Sequence, residues 1–232
     1  MKKLTLMVGA FLLSTMSFGQ SMDTPMSLEG VLSFNGSSLE WTAPTLRFRY
    51  FVNENIAGRV QLGLGDGMGT PASESWTFYE NGDGTGATGT AEINRGAWNA
   101  QIGGEYHMSA TDRLSPYFML GINFGGGSYS ETWTESDGTQ YAQGLSAQVD
   151  ATSSMFGVGV GAGVDFYLVE NLYAGLELGL SYNSMSMSDV TTTVTQTAGG
   201  VSTTTTTVGG NASMTMIGTG ATTAAFRLGW RF

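Results

Sequence analysis

The last nine residues of the chain, 224–232, constrain its fold more than any other stretch. Bulky apolar side chains alternate there with polar or small ones up to the final residue. Because successive side chains of a β-strand point to opposite faces, such a strand has one apolar face and one polar face. The apolar face consists of Phe226, Leu228, Trp230 and Phe232, and the opposite face carries Arg227, Gly229 and Arg231. The pattern predicts a strand that lies between an apolar phase and a polar one.

Seven segments upstream show the same alternation, so the chain is predicted to contain eight strands. Connections of a few residues alternate with much longer ones, an asymmetry typical of transmembrane barrels with short periplasmic turns and long extracellular loops. The predicted strands are 28–34, 46–50, 56–65, 95–107, 117–125, 156–166, 172–182 and 224–232. The predicted long loops are a polar connection containing Glu40 and Trp41, a Gly-rich segment 66–94, a segment 130–152 and a Thr-rich segment 188–211.

The N-terminus has the layout of a secretory signal peptide. Met1-Lys2-Lys3 precedes an apolar run that ends at Leu13, and small residues follow at Ser17 and Gly19. We predict a signal peptide at 1–20 and one barrel domain at 21–232. The nine Lys and Arg residues less Lys2 and Lys3 leave seven arginines against 19 acidic residues, which argues against nucleic acid as a partner. Cysteine is absent from the sequence, so no disulfide framework is expected.

A soluble eight-stranded barrel would turn its apolar face inward, and a membrane barrel would turn it toward lipid. Six arginines lie on the polar face of the predicted strands. Since each Arg at the bilayer midplane costs about 2 to 4 kcal/mol, that face must point inward in a membrane. Together with the export signal and the loop asymmetry, this favours an all-β fold, an eight-stranded antiparallel up-and-down transmembrane β-barrel in the cell outer membrane.

Charges inside such a barrel are expected to pair with one another. Eight strands leave an interior that side chains just fill, so a structural network is favoured over a solute pathway. The predicted interior polar network comprises Glu29, Arg47, Arg49, Arg59, Arg95, Glu105, Asp165, Glu177, Arg227 and Arg231.

By strand pattern, turn placement and C-terminal strand, the chain resembles the small eight-stranded outer-membrane β-barrel family, the class that includes OmpX and the transmembrane domain of OmpA. The resemblance covers roughly the whole mature chain and brings no catalytic motif. It implies that the terminal strand is the signal read by the barrel-assembly machinery. The residues at the matching positions are Phe226, Leu228, Trp230 and Phe232.

Two motifs suggest chemistry only weakly. His107, the only histidine, lies beside a short periplasmic turn, away from the extracellular rim where a barrel enzyme would need its base. No enzymatic activity and no cofactor are therefore predicted. The oxygen-bearing residues Asn81, Asp83, Thr85 and Glu92 follow calcium-loop spacing. Asn81 replaces the usual Asp and flanking helices are absent, so a Gly-rich turn is the main alternative to calcium.

The predicted long loops are acidic and lack lysine and arginine. Such a rim would concentrate cations, including the divalent ions that bridge lipopolysaccharide, or would simply keep the loops soluble. The leading hypothesis is a non-enzymatic surface protein acting in adhesion or membrane integrity, with outer-membrane lipid and lipopolysaccharide as partners. The alternative is a narrow porin-like channel for small or cationic solutes.

Two further predictions concern the region between the last two barrel strands. Ala198-Gly199-Gly200 is predicted to be a turn that lets the Thr-rich segment extend the last hairpin above the membrane. The methionines at 184–188 and 213–216 fall out of phase with the apolar faces below them, which predicts a β-bulge nearby.

Overall fold

The computed structural model of the chain is an antiparallel β-structure. It describes residues 23–35, 38–65, 72–79, 88–108, 111, 113–135, 146–198, 200–217 and 223–232. The strands are β1 (Met26–Asn35), β2 (Ser38–Phe51), β3 (Ile56–Leu64), β4 (Ser73–Tyr79), β5 (Thr88–His107), β6 (Leu114–Glu135), β7 (Ser146–Tyr167), β8 (Leu172–Met187), β9 (Thr191–Ala198), β10 (Val201–Val208), β11 (Ala212–Ile217) and β12 (Thr223–Arg231). Within the described ranges, no helix is long and apolar enough to cross a membrane.

Eight of the strands close into a ring in the order β1-β2-β3-β5-β6-β7-β8-β12. β12 completes the closure because it pairs with β1 on one side and β8 on the other, so that Trp230 lies between Leu28 and Leu172. Every barrel strand is antiparallel to its neighbours. The predicted eight-stranded antiparallel barrel is confirmed.

The faces of this barrel are reversed relative to a soluble protein. The apolar side chains predicted to face lipid point outward, where Leu120 is 65% exposed and Leu178 is 64% exposed. The charged side chains of the opposite face point inward, where Arg49 and Asp165 have no exposed surface. An apolar belt around a whole barrel is unfavourable in water, whereas a barrel that spans a bilayer needs such a belt in contact with lipid. The barrel therefore spans a membrane.

Much of the sequence predicted to be long loops is strand. β4 pairs along the N-terminal part of β5, β6 continues to Glu135, and β7 begins at Ser146. The polar connection that contains Glu40 and Trp41 likewise belongs to β2. The prediction of loops was wrong for 73–79, 88–94, 130–135 and 146–152, because the aromatic and β-branched residues there favour strand; 66–71, 80–87 and 136–145 lie outside the described residues. The barrel wall thus continues beyond the membrane as a sheet, which we call the extracellular extension. It consists of β4, β9 and β10, together with the parts of β5, β6 and β7 that lie above the level of Gly126.

The Thr-rich segment forms the hairpin of β9 and β10, which confirms the predicted turn. Ala198 pairs with Val201, and Gly200 has a φ of 79°, which glycine adopts without strain. β9 also pairs with the first residues of β7, from Ser146 to Asp150. The hairpin therefore extends the last hairpin of the barrel, as predicted.

The predicted irregularity lies between β11 and β12. β8 itself stays in register with β7 from Tyr173 to Met187. Ile217 pairs with Tyr182 and Thr223 pairs with Gly179, so five residues separate β11 from β12 in the chain where only two separate their partners on β8. The five residues 218–222 fall outside the described part of the chain.

Candidate functional site

Four carboxylates and four guanidinium groups meet in the middle of the barrel, and their formal charges cancel. They belong to Glu29, Glu105, Asp165, Glu177, Arg47, Arg49, Arg59 and Arg227, which we call the ionic network. All eight side chains have at most 5% of their surface exposed. Buried charges of this density require partners, and each member has at least two.

Arg49 is the centre of the ionic network. Its Nε lies 2.7 Å from Glu29, and its Nη1 lies 3.0 Å from Glu105 and 2.8 Å from Asp165. The guanidinium carbon also stands 5.0 Å from the ring centre of Tyr173 and 5.2 Å from that of Phe51. These rings give a cation–π partner to Arg49 Nη2, which is buried without a hydrogen bond.

The remaining arginines of the ionic network bridge the acids in pairs. Arg227 joins Glu29 at 3.1 Å to Asp165 at 2.7 Å. Arg47 and Arg59 both contact Glu177, at 2.7 Å and 2.8 Å. Tyr173 donates a hydrogen bond to Glu29 at 2.7 Å, and Tyr117 donates one to Glu177.

Inward glycines make room for these long side chains. A Cβ added at Gly175 would stand 2.5 Å from Arg227 Nη2, and one added at Gly229 would stand 2.2 Å from the Tyr173 ring. The alternation of glycine with apolar residues in β8 and β12 therefore has a steric cause: the lipid face needs bulk, and the inner face needs space for groups that cross from other strands.

The ionic network spans the lumen. β2 and β7 lie opposite each other in the ring of eight, and so do β3 and β8. Arg49 on β2 nevertheless contacts Asp165 on β7, and Arg59 on β3 contacts Glu177 on β8. Side chains thus meet across the full width of the barrel at this level.

Amide side chains cover the extracellular side of the ionic network. Gln61 accepts a hydrogen bond from Arg47 Nε at 2.9 Å, and Gln101 accepts one from Arg59 Nε at 3.0 Å. Gln101 donates to Asn123 at 2.7 Å, and Asn123 donates to Asn183 at 3.1 Å. We call Gln61, Gln101, Asn123 and Asn183 the amide layer.

Two residues predicted for the interior network lie away from it. Arg231 is buried at the periplasmic end, where it donates to the Tyr167 hydroxyl at 3.1 Å and to the Thr24 carbonyl at 3.0 Å. Arg95 lies at the extracellular mouth, partly exposed, with Glu74 at 3.3 Å. The alternation along the strands assigns both side chains to the inner face, but it does not show how far along the barrel axis each one lies.

His107 lies between Glu105 and Ser115 in an arrangement that resembles a Ser-His-acid triad. Its Nε2 is 2.9 Å from Glu105 and its Nδ1 is 2.8 Å from Ser115 Oγ. The imidazole is also enclosed by the rings of Phe51 and Tyr117, at centroid distances of 5.1 Å and 5.0 Å. Histidine and serine are both buried, so the serine hydroxyl is not placed to meet a substrate. Ser115 was not predicted from the sequence, although the alternation of the strand already assigns its side chain to the inner face.

Above the amide layer, large apolar side chains lie in the interior beside the charged Arg95, Glu74 and Glu131. A cavity of about 400 Å³ lies there between β5, β6, β7 and β8. Higher still, the ring of Trp133 contacts Trp76 edge-on at 5.8 Å and Phe78 at 5.2 Å. The inward side chains that line the cavity include Ala97, Tyr129, Ala151, Met155, Met185 and Met187.

Glu131 orders the aromatic residues at this mouth. It accepts hydrogen bonds from the Tyr129 hydroxyl at 2.6 Å and from Trp133 Nε1 at 2.7 Å. The first of these hydrogen bonds raises the pKa of Tyr129, which lies above the membrane-spanning belt. This site was not predicted from the sequence, because the segment 130–152 was expected to be a loop.

The calcium candidate is mostly outside the described residues, which exclude Asn81, Asp83 and Thr85. Glu92 is exposed on the outer face of β5, between Ser75 and Thr132 of the flanking strands. Within the part of the chain that the structure describes, no group of three or more His, Asp or Glu side chains is arranged to hold a metal ion. The calcium site stays a prediction.

The C-terminal residues of the predicted assembly signal lie on the outer face of β12 and just beyond it. Leu228, Trp230 and Phe232 are about half exposed, and Phe226 is partly covered. Phe232 also closes the strand end, because its backbone exchanges two hydrogen bonds with Met26. Recognition of these residues by an assembly machinery stays a prediction.

Conductance measurements would test whether the ionic network closes the lumen. We expect purified protein in planar bilayers to show no steady conductance steps, because paired side chains join opposite walls. A wide-pore barrel inserted at the same density serves as the positive control. Reproducible single-channel steps that scale with salt concentration would contradict a closed lumen.

No protein-family model matches the sequence, and a search of curated proteins found no match. Among solved structures, the chain is similar to CarO of Acinetobacter baumannii, with 11% identity over 92% of this chain and 100% of that one, at a TM-score of 0.42. A major outer membrane protein of Thermus thermophilus has 13% identity over 89% of this chain and 98% of that one, at a TM-score of 0.43. Ail of Yersinia pestis has 16% identity over 89% and 96%, at a TM-score of 0.32.

These likenesses are distant, and the assignment of the fold stands on the barrel's own geometry. Eight antiparallel strands close on themselves, an apolar belt faces outward, and the charges pair inside. The protein is an eight-stranded antiparallel transmembrane β-barrel.

Proposed function

We propose that the protein is a non-enzymatic surface-interaction protein of the outer membrane, whose contact region is the extracellular extension. One observation carries this proposal. β6 and β7 contain 22 residues each, whereas about 9 to 11 suffice for a transmembrane strand. The excess length pairs in register with further strands, so it builds a defined surface above the membrane.

The outer face of the extracellular extension has the chemistry of a polar contact surface. On β6, the outward residues change from Phe124 to Ser128, Ser130, Thr132 and Thr134 along the strand. Hydroxyl groups on a rigid sheet donate and accept hydrogen bonds at little entropic cost, which suits recognition of a polar partner.

The edge strand of this sheet supports the same proposal. β10 pairs with β9, and all eight of its residues are exposed; no second neighbour pairs with it among the described residues. Its sequence from Val201 to Val208 holds no charge and no proline, the residues that usually protect an edge. An extended segment of a partner could add to this edge as a further strand.

An adhesion assay with hairpin-deleted cells tests the proposal. Cells that display the full chain should adhere to host-matrix proteins, and replacement of 191–208 by a two-residue turn should reduce adhesion to that of cells without the barrel. Glu170→Ala in a periplasmic turn is the matched control and should change nothing. Protease resistance of the barrel in all samples reports correct folding.

Adhesion that survives the deletion in full would overturn the proposed contact region. Absence of adhesion in cells with the intact chain would overturn the function itself. Two partners belong to the same proposal: outer-membrane lipid, including lipopolysaccharide, around the apolar belt, and the barrel-assembly machinery at β12.

A further inference from the structure

The barrel wall reverses its polarity near Gly126 without changing register. β6 and β7 pair continuously from Leu114 opposite Phe166 to Thr134 opposite Ser146. Below Gly126 the outward side chains are apolar and the inward ones are polar or glycine apart from Met119; above it the outward ones are polar. The register of β6 and β7 has no bulge, so each strand keeps the same alternation of faces throughout. The reversal therefore comes from the order of the residues in the sequence.

The inner face above this point carries large apolar residues beside the charged Glu74, Arg95 and Glu131, although lipid does not reach it. On the side facing the barrel axis, β6 carries Tyr129 and Trp133, while β7 carries Val149, Ala151 and Met155. If this face only lined a water-filled space, these apolar side chains would bury no surface there. An apolar surface turned toward an enclosed space is the usual lining of a ligand site.

The cavity of about 400 Å³ lies at the base of this apolar face. Its size falls within the range of about 300 to 1,000 Å³ that is typical of small-molecule pockets. Glycines keep it open: a Cβ added at Gly125 would stand 3.0 Å from the Met155 methyl group, and one added at Gly127 would stand 2.9 Å from Ser153 Oγ. The space therefore depends on the absence of side chains at these two positions.

The floor of the cavity determines where a ligand must enter. The amide layer lies beneath it, and the ionic network joins opposite walls below that layer. Between β5, β6 and β7 the side wall consists of hydrogen-bonded strand pairs, since Ala97 pairs with Gly127 and Gly127 with Ser153. Access is thus from the extracellular end, past Trp76 and Trp133.

We propose that this cavity binds a small, neutral, apolar molecule that arrives from outside the cell. Three methionines line it, and their flexible, polarisable thioethers adapt to apolar ligands of different shape and make favourable contacts with aromatic rings. Arg95, the charged residue among the lining side chains, has Glu74 as an ion-pair partner at 3.3 Å. A charged ligand would lose part of its hydration there, whereas an aromatic hydrocarbon would bury apolar surface against the methionines. The inference goes beyond the proposed adhesion, which uses the outer face and edge of the same sheet.

Methionine methyl NMR tests the proposal, with naphthalene as the probe. Full-length protein labelled with ¹³C at methionine methyl groups is reconstituted in lipid nanodiscs and titrated. Saturable shifts are expected for Met155 and Met185 in the cavity. Met119, which is buried deeper in the barrel against Gly161, should not shift.

Two phenylalanine variants of β7 complete the experiment. Ala151→Phe fills the cavity and should weaken naphthalene binding at least tenfold. Ala162→Phe adds the same bulk on the lipid face of the same strand and should leave binding unchanged. Protease resistance verifies that both variants fold, and Met155 and Met185 remain as reporters in each.

Three outcomes would overturn the inference. They are the absence of shifts at Met155 and Met185, shifts there that rise linearly with naphthalene concentration and never saturate, and an unchanged binding curve in Ala151→Phe. Adhesion is scored separately, and Ala151→Phe should leave it intact. Failure of the apolar site and failure of the surface function are therefore distinguishable.

Discussion

Arg49→Ala is expected to lower the free energy of unfolding of the barrel by about 3 to 5 kcal/mol, the range for breaking a buried ion pair from one side. The variant leaves Glu29, Glu105 and Asp165 buried with one cation fewer among them. Desolvated carboxylates without compensation are the physical cause of the loss. Urea unfolding in lipid vesicles, followed by tryptophan fluorescence, measures it.

Arg95→Ala provides the matched control. Arg95 is also an inward arginine of a barrel strand, but its pair with Glu74 is partly exposed at the mouth. A pair of that kind contributes at most about 1 kcal/mol. If Arg49→Ala destabilises the barrel no more than Arg95→Ala does, the ionic network is not what stabilises the interior.

Strand number and face were predictable from the sequence because both follow from a period of two. Arg49, Arg95 and Arg231 all lie on the inner face, as the alternation requires. Their heights were not predictable. Height depends on the stagger between strands, which is set by closure of the whole ring: Arg227 meets Glu29, a residue 198 positions away in the chain.

The extracellular extension was missed for a different reason. Prediction of the strands relied on one rule, apolar outward and polar inward, whereas in the extension the outward residues are polar, and aromatic residues lie inward. Thr132, Trp133 and Thr134 alternate as regularly as the residues below them, but with the aromatic residue on the inner face. The same change of polarity places the apolar residues that line the cavity. The cavity and the extracellular extension were therefore not predicted for the same reason.

The polarity reversal also predicts where the outer face of β7 tolerates charge. Val160→Arg, in the middle of the apolar belt, should lower the free energy of unfolding in vesicles by about 2 to 4 kcal/mol, because the guanidinium group must enter the hydrocarbon. Thr152→Arg lies on the same face of the same strand, eight residues away and above the belt, and should change it by at most about 1 kcal/mol. Urea titrations of both variants in identical vesicles decide the matter. Equal losses would mean that lipid reaches Thr152, and then the extracellular extension would lie within the membrane and could present neither its outer face nor its edge to a partner.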